Sequence, residues 1–178
     1  MKKLFILVAA LFAVGTLSAQ KFARINLQEV VVAMPEFEEA QKNLEAFGKD
    51  LQEQMEQIQV EFNNKLADFQ KNQATMAASI KQMKQQELEQ LQQRFGEFQQ
   101  IAQQDFQKKE AELLEPVQKK ANEAVNKVAK ANGYIAVFNT SVPSLAYFDE
   151  AQLTDIAALV KKELGIVDKP ATPVAPAK

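Results

Sequence analysis

The sequence predicts an α+β chain: a small β-body joined to a long antiparallel α-helical, coiled-coil hairpin. Three observations predict it. From Glu36 to about Asn132 the chain holds one proline and two glycines, and apolar residues recur every three or four positions, the spacing of one helix face. Short β-prone segments flank that stretch on both sides. The flanking parts are too small for a self-sufficient core without disulfides or metal, so the body is expected to self-associate.

The chain opens with Met1-Lys2-Lys3, the apolar run Leu4–Leu17, and Ser18-Ala19-Gln20. That order is a secretory signal peptide, residues 1–19, with cleavage after Ala19. The run is shorter than the ~20 residues that span a bilayer. Phe22–Leu27 alternates Ala23, Ile25 and Leu27 against Arg24 and Asn26, a strand with one buried face. Gln28–Ala33 is expected to form a short helix, ended by Met34-Pro35. Residues 20–35 are thus the first part of the body.

The arm, residues 36–131, follows. Its first half carries Phe37, Ala40, Leu44, Phe47, Leu51, Met55, Ile58, Phe62, Leu66 and Phe69. The stripe begins as a heptad, and from Phe47 its mean spacing lengthens to about 3.67, the 11-residue pattern that straightens a supercoil. The second half resumes at Leu88, Leu91, Phe95, Phe98, Ala102, Phe106, Leu113, Val117, Ala121, Ala124 and Val128. As one helix the segment would be ~145 Å long and would need a partner throughout. A reversal near residues 75–80, with Ser79 or alternatively Thr75 as N-cap, lets the two stripes pack on each other. Gly48 and Gly96 are either tolerated surface positions or points of flexure. Pro116 interrupts the ascending helix, and counting back across the hairpin places it opposite residue 40. There it is read as an arm hinge, or as a fixed bend.

The second part of the body is residues 132–167. Gly133 stops the helix, and Tyr134–Phe138 ("YIAVF") reads as a strand covered on both faces. Val142-Pro143-Ser144 turns the chain into a third strand at Leu145–Phe148. Thr154 is expected to cap a helix from Asp155 to Leu164. Ile25, Leu27, Ile135, Val137 and Leu145 are the expected apolar residues of the oligomerisation body. The Pro/Ala-rich tail 168–178 is expected to be extended and disordered.

Composition narrows the function. The chain has no Cys and no His, so thiol or imidazole metal sites and Ser-His or Cys-His nucleophiles are absent. No GxxxxGK[ST] or GxGxxG stretch is present. An enzyme is not expected, nor any cofactor or metal. Loss of Lys2 and Lys3 with the signal takes the formal charge from −2 to −4, which argues against nucleic acid as a partner. Charge is uneven along the arm. Glu36–Asp68 holds nine acids and three lysines, whereas Phe69–Gln86 holds Lys71, Lys81 and Lys84 and no acid. Apolar residues left over from the seam are expected toward the tip. Phe69, Met76, Ile80 and Met83 are therefore the candidate contacts for an unfolded partner, with the three lysines available to acidic segments, anionic lipid or lipopolysaccharide.

Three stretches carry a resemblance: "FARINLQEVV", "ELLEPVQKKANEAVNKVAKANGYIAVFN" and "LAYFDEAQLTDIAALVKKEL". With the long hairpin between them, they resemble the Skp (OmpH-like) periplasmic chaperones over nearly the whole chain after the signal. The resemblance implies a homotrimer whose strands assemble a central body. Three hairpins then surround a cavity that holds unfolded outer-membrane proteins without ATP. The best-known members are strongly basic, and this chain departs from them in its acidic balance. A structural coiled-coil scaffold of the envelope is the alternative reading.

Overall fold

The computed structural model describes residues 21–142 and 147–166. The signal segment, Leu145 and the tail 168–178 lie outside the described residues. In chain order the elements are β1 (Lys21–Ile25), α1 (Leu27–Val32), α2 (Pro35–Asn72), α3 (Ala78–Asn132), β2 (Tyr134–Asn139), a 3-10 turn (Glu150–Gln152), β3 (Thr154–Asp155) and α4 (Ala157–Glu163). They divide into two compact units. One comprises described residues 21–30 and 121–166, and the other is Val31–Lys120.

The first unit is built on a parallel sheet of order β2-β1-β3. Parallel neighbours need a long crossover, and the whole α2–α3 segment supplies it between β1 and β2. Alternation in β1 sends Ala23 and Ile25 into the core. They meet Val30 of α1, Ala124 and Val128 of α3, Ile156, and Val160 of α4, all buried. Val125, Tyr134, Val137, Ala157, Leu164 and Ile166 pack around them. Two asparagines tie the strand ends to α1. Asn26 Oδ1 accepts from the Glu29 amide at 3.3 Å, and Asn139 Oδ1 accepts from the Leu27 amide at 3.2 Å. Gly133, at φ +72°, supplies the left-handed residue that ends α3 and admits β2.

Three sequence expectations change here. The third strand is Thr154–Asp155, paired with Ala23 and Arg24, whereas Tyr147 and Phe148 lie in no strand. Thr154 is therefore not a cap. α4 begins at Ala157, whose amide is bonded by Asp155 Oδ1 at 2.9 Å. The last three turns of α3, from Ala121, belong to the sheet-bearing unit and not to the arm. Ala121 and Ala124 are small enough for the helix to lie close to its neighbours, and both are buried.

The second unit is the hairpin. Pro35 opens α2, where a missing N–H costs nothing and φ is already helical. The buried residues of the seam are Ala40, Ile58 and Phe69 on α2 and Leu91, Ala102 and Val117 on α3, every one a member of the periodic stripes. Other stripe residues, such as Leu44, Leu51 and Leu66, stay half-buried, because two helices alone cannot surround a side chain. The turn is Gln73–Ala77. Thr75 donates both its amide and its hydroxyl to the Asn72 carbonyl, each at 3.0 Å, and so satisfies the end of α2. Ser79 lies inside the first turn of α3 and is not its N-cap, since the helix already starts at Ala78.

The two arm glycines separate. A Cβ on Gly48 would meet the Phe106 ring at 3.2 Å, whereas one on Gly96 would meet nothing within 4 Å. Gly48 permits a close approach across the seam, and Gly96 is an open surface position. Gly96→Ala is therefore expected to stabilise the hairpin by about 0.5–1 kcal/mol. Gly48→Ala should gain less or lose stability, because the ring must yield. Urea unfolding midpoints check both, and equal gains would contradict this assignment.

Candidate functional site

Two surfaces, one in each unit, carry apolar groups that the fold leaves uncovered. On the hairpin, Ile80 is 42% exposed and Met83 is 54% exposed, and Met76 in the turn is half-buried. Phe69 differs from expectation. It is buried in the seam and is a packing residue, not open surface. Of the lysines, Lys84 is engaged by Glu87 at 3.5 Å. Lys71 and Lys81 make no ion pair among the described residues, so positive charge does stand free beside the turn.

Two further uncovered residues were missed by the periodicity. Val60 is 49% exposed and Ile101 is 53% exposed. Their signal was present, since each is a β-branched residue off the stripe: Val60 two positions after Ile58, Ile101 one before Ala102. Val60 lies on an α2 face with Glu53, Glu56 and Glu61. The hairpin surface is therefore apolar spots in an acidic field along α2, turning positive near the tip.

The register of the hairpin is held by charges that bridge it. Lys65 pairs with Glu87 and, at 3.7 Å, with Glu61, while Arg94 reaches Glu61 at 3.5 Å. Toward the other end Lys120 pairs with Glu36. The hydrogen bond from Lys65 holds the Glu87 carboxyl below the usual range, and that from Lys120 does the same for Glu36. Lys65 is raised by its bond to Glu87, and Lys42 by its bond to Glu38. The carboxylate contributions are present above the ordinary carboxylate pKa and lost as pH falls through the lowered folded values. The lysine contributions are present below the ordinary lysine value and lost as pH rises through the raised ones. The chain has no histidine. Stability is thus expected to be flat from about pH 6 to pH 9 and to fall below about pH 4. Unfolding midpoints across pH check this, and a step between pH 6 and 7 would contradict it.

Pro116 sits within α3 and lines a gap of about 320 Å³ with Glu36, Ala40, Leu113 and Lys120. The partner position expected from counting across the hairpin, residue 40, is on that gap's wall.

On the body, Ile25 is consumed by the chain's own core, and Val137 packs partly against it. Leu27 is half-buried. Ile135 is different. The β1–β2 register skips it, as at a bulge, and its side chain is 58% exposed on an edge strand. The strand expected to be covered on both faces therefore leaves Ile135 open among the described residues of one chain. Phe22 stacks on Phe138 with centroids 6.0 Å apart, and Tyr147 nearby is 84% exposed. Among the described residues no cluster of acidic side chains could hold a metal, and no helix is long and apolar enough to cross a membrane.

This arrangement has known counterparts. The chain is 24% identical over 154 residues to "Chaperone protein Skp" of Photorhabdus laumondii subsp. laumondii, covering 86% of this chain and 93% of that one. It is 26% identical over 155 residues to the Skp of Yersinia enterocolitica, covering 87% and 92%. The fold matches a solved OmpH-like protein of Caulobacter crescentus CB15 with a TM-score of 0.70 at 13% identity, over 84% of this chain and 86% of that one. The family model described as outer membrane protein (OmpH-like) matches residues 21–164, which takes in both units, and the chain belongs to that family.

Proposed function

We propose that the protein is an ATP-independent periplasmic holdase chaperone. It binds unfolded outer-membrane β-barrel proteins and keeps them from aggregating. The observation that carries this reading is the apolar surface left along the hairpin after the seam is filled: Val60, Ile80, Met83 and Ile101. Scattered aliphatic and methionine contacts suit partners without fixed shape, because methionine is flexible and polarisable. Each contact is weak, and several hairpins acting together hold a client by effective concentration while letting each contact release. The relatives named as Skp chaperones support the same reading.

The assembly proposed is a homotrimer joined through the bodies, with the client held among the hairpins. The β2 edge, unpaired among the described residues, and Ile135 supply a ladder and an apolar anchor for another copy. Export with a cleaved signal peptide, residues 1–19, places the protein in the periplasm. Lys71 and Lys81 are proposed to meet acidic client segments, anionic lipid or lipopolysaccharide. A stoichiometric complex of the protein with a β-barrel client diluted from urea, isolated by size exclusion with light scattering and unaffected by nucleotide, is the expected result. Separate elution of the two would refute the holdase.

Pro116 is proposed as the arm hinge. Pro116→Ala restores the amide donor to the Glu112 carbonyl and is expected to stabilise α3 by about 1–3 kcal/mol. It should also narrow the distribution of distances between spin labels near the turns of the assembled protein. An unchanged distribution would make Pro116 a fixed bend.

A further inference from the structure

Of the protein's five glycines, only Gly133 follows an asparagine, Asn132. A side-chain amide in that setting is chemically labile. The backbone nitrogen of the next residue can attack the side-chain carbonyl carbon, and a glycine there has no Cβ to hinder the approach. Asparagine counts among the thermolabile residues. The fold places this pair at a junction. Asn132 is the last residue of α3, and Gly133, at φ +72°, admits β2.

The surroundings do not shield the pair. Both residues are exposed. A Cβ on Gly133 would meet nothing within 4 Å. Asn132 also lines a gap of about 340 Å³ with Lys127, Leu159 and Lys162. Water can reach the amide there, and the two lysines bring positive charge to a place where the attacking nitrogen must become anionic.

What restrains the pair is hydrogen bonding. Asn132 Nδ2 donates to the Val128 carbonyl at 2.8 Å, which turns the side chain back along the helix. The Gly133 amide, the attacking group, donates to the Lys130 carbonyl at 3.3 Å. Ring closure needs both bonds broken and Asn132 out of its helical conformation. Helix ends are where such local opening costs least. This end is pinned from both sides, by Val128 in the core of the first unit and by Tyr134 packed against that core.

We propose that Asn132 is a deamidation site of the protein, gated by opening of the α3–β2 junction. In the open junction the Gly133 nitrogen gives up its proton and bonds to Asn132 Cγ. The Cγ–Nδ2 bond breaks, ammonia leaves with that proton, and a five-membered succinimide ring remains. Water then opens the ring. Attack at Cγ yields aspartate with the peptide chain intact. Attack at the Asn132 backbone carbonyl yields isoaspartate, and the chain then runs through Cγ. One water is consumed, one ammonia is released, and nothing is oxidised or reduced. Either product removes the donor to the Val128 carbonyl and puts negative charge at the C-terminal end of α3, where the helix dipole opposes it. Isoaspartate also adds an atom to the main chain between Val128 and Tyr134, both of which are fixed to the core. Conversion therefore loosens the junction that gated it.

The test incubates the protein, folded and in denaturing urea, at mildly alkaline pH. Conversion at each asparagine is followed by mass spectrometry of tryptic peptides, and isoaspartate by methyl transfer from S-adenosylmethionine with isoaspartyl methyltransferase. In denaturing urea Asn132 should convert before every other asparagine. In the folded protein its conversion should be slower by on the order of ten-fold, as a gate of two hydrogen bonds requires. Ile156→Ala, which loosens the same core, should bring the folded rate toward the unfolded one, and sub-denaturing urea should do the same to the unmodified protein. If another asparagine leads in denaturing urea, Asn132 is not the site. Equal rates in the folded and unfolded protein, or a folded rate that ignores both Ile156→Ala and sub-denaturing urea, would remove the gate and overturn the proposal.

Discussion

Ile156→Ala is expected to destabilise the body by about 2–5 kcal/mol. Ile156 is fully buried where the ends of β1, α3 and α4 meet. Its amide donates to the Arg24 carbonyl at 3.1 Å, and its carbonyl accepts from the Val160 amide at 3.0 Å. The substitution keeps both backbone bonds and removes three carbons from the side chain. The transfer loss alone is about 2.4 kcal/mol at ~0.8 kcal/mol per methylene. A cavity term adds to it, because Ala23, Val30, Ala124 and Val128 are held by three different elements and cannot all close in. Small domains have only about 5 kcal/mol to lose. The urea transition of the body should therefore move far to lower concentration, while Val31–Lys120, which shares none of this core, loses less helical signal. An unchanged midpoint would mean that Ile156 is not a keystone of the first unit.

Ile135→Asp is expected to dissociate the proposed assembly while leaving the single chain folded. The side chain is already exposed and outside the chain's own core, so the substitution costs little within one copy. Against a partner's strand edge it would place a charge in an apolar contact, a penalty of several kcal/mol unless the carboxylate finds a partner. Light scattering should show the mass falling to that of one chain, with the circular dichroism of the parent retained. Leu159→Asp is the control. Leu159 is similarly exposed but lies on α4 and in no strand, and its substitution should leave the mass unchanged. If Ile135→Asp keeps the parent mass, self-association does not use this strand.

The hairpin was legible because its signal is periodic and repeated. Ala40, Ile58, Phe69, Leu91, Ala102 and Val117 all sit where spacings of three and four put them, and the interhelical ion pairs run across the turn in the order an antiparallel pair requires. Gly133 marked the end of α3 by backbone chemistry that few other residues can supply. What was not legible is non-local. β3 is two residues long, and no local pattern distinguishes Thr154-Asp155 from a helix cap; pairing with Ala23 and Arg24 decides it. The division at Lys120 was hidden because the apolar spacing runs through it unchanged, and only the neighbours of Ala121, Ala124 and Val128 differ. Phe69 was read as surface because nothing in the sequence shows how far the two helices remain packed toward the turn. Met83 and Ile80 stay exposed beyond it.

The central claim is that the hairpin's uncovered aliphatic and methionine side chains hold unfolded chains in solution. The most direct measurement is light scattering by an unfolded β-barrel protein diluted from urea into the mature protein without nucleotide, compared with the Ile80→Ser/Met83→Ser variant and with buffer. The account predicts suppression of aggregation at about one assembly per client, and substantially weaker suppression by the variant. Aggregation at the buffer rate in the presence of the unmodified protein would contradict it.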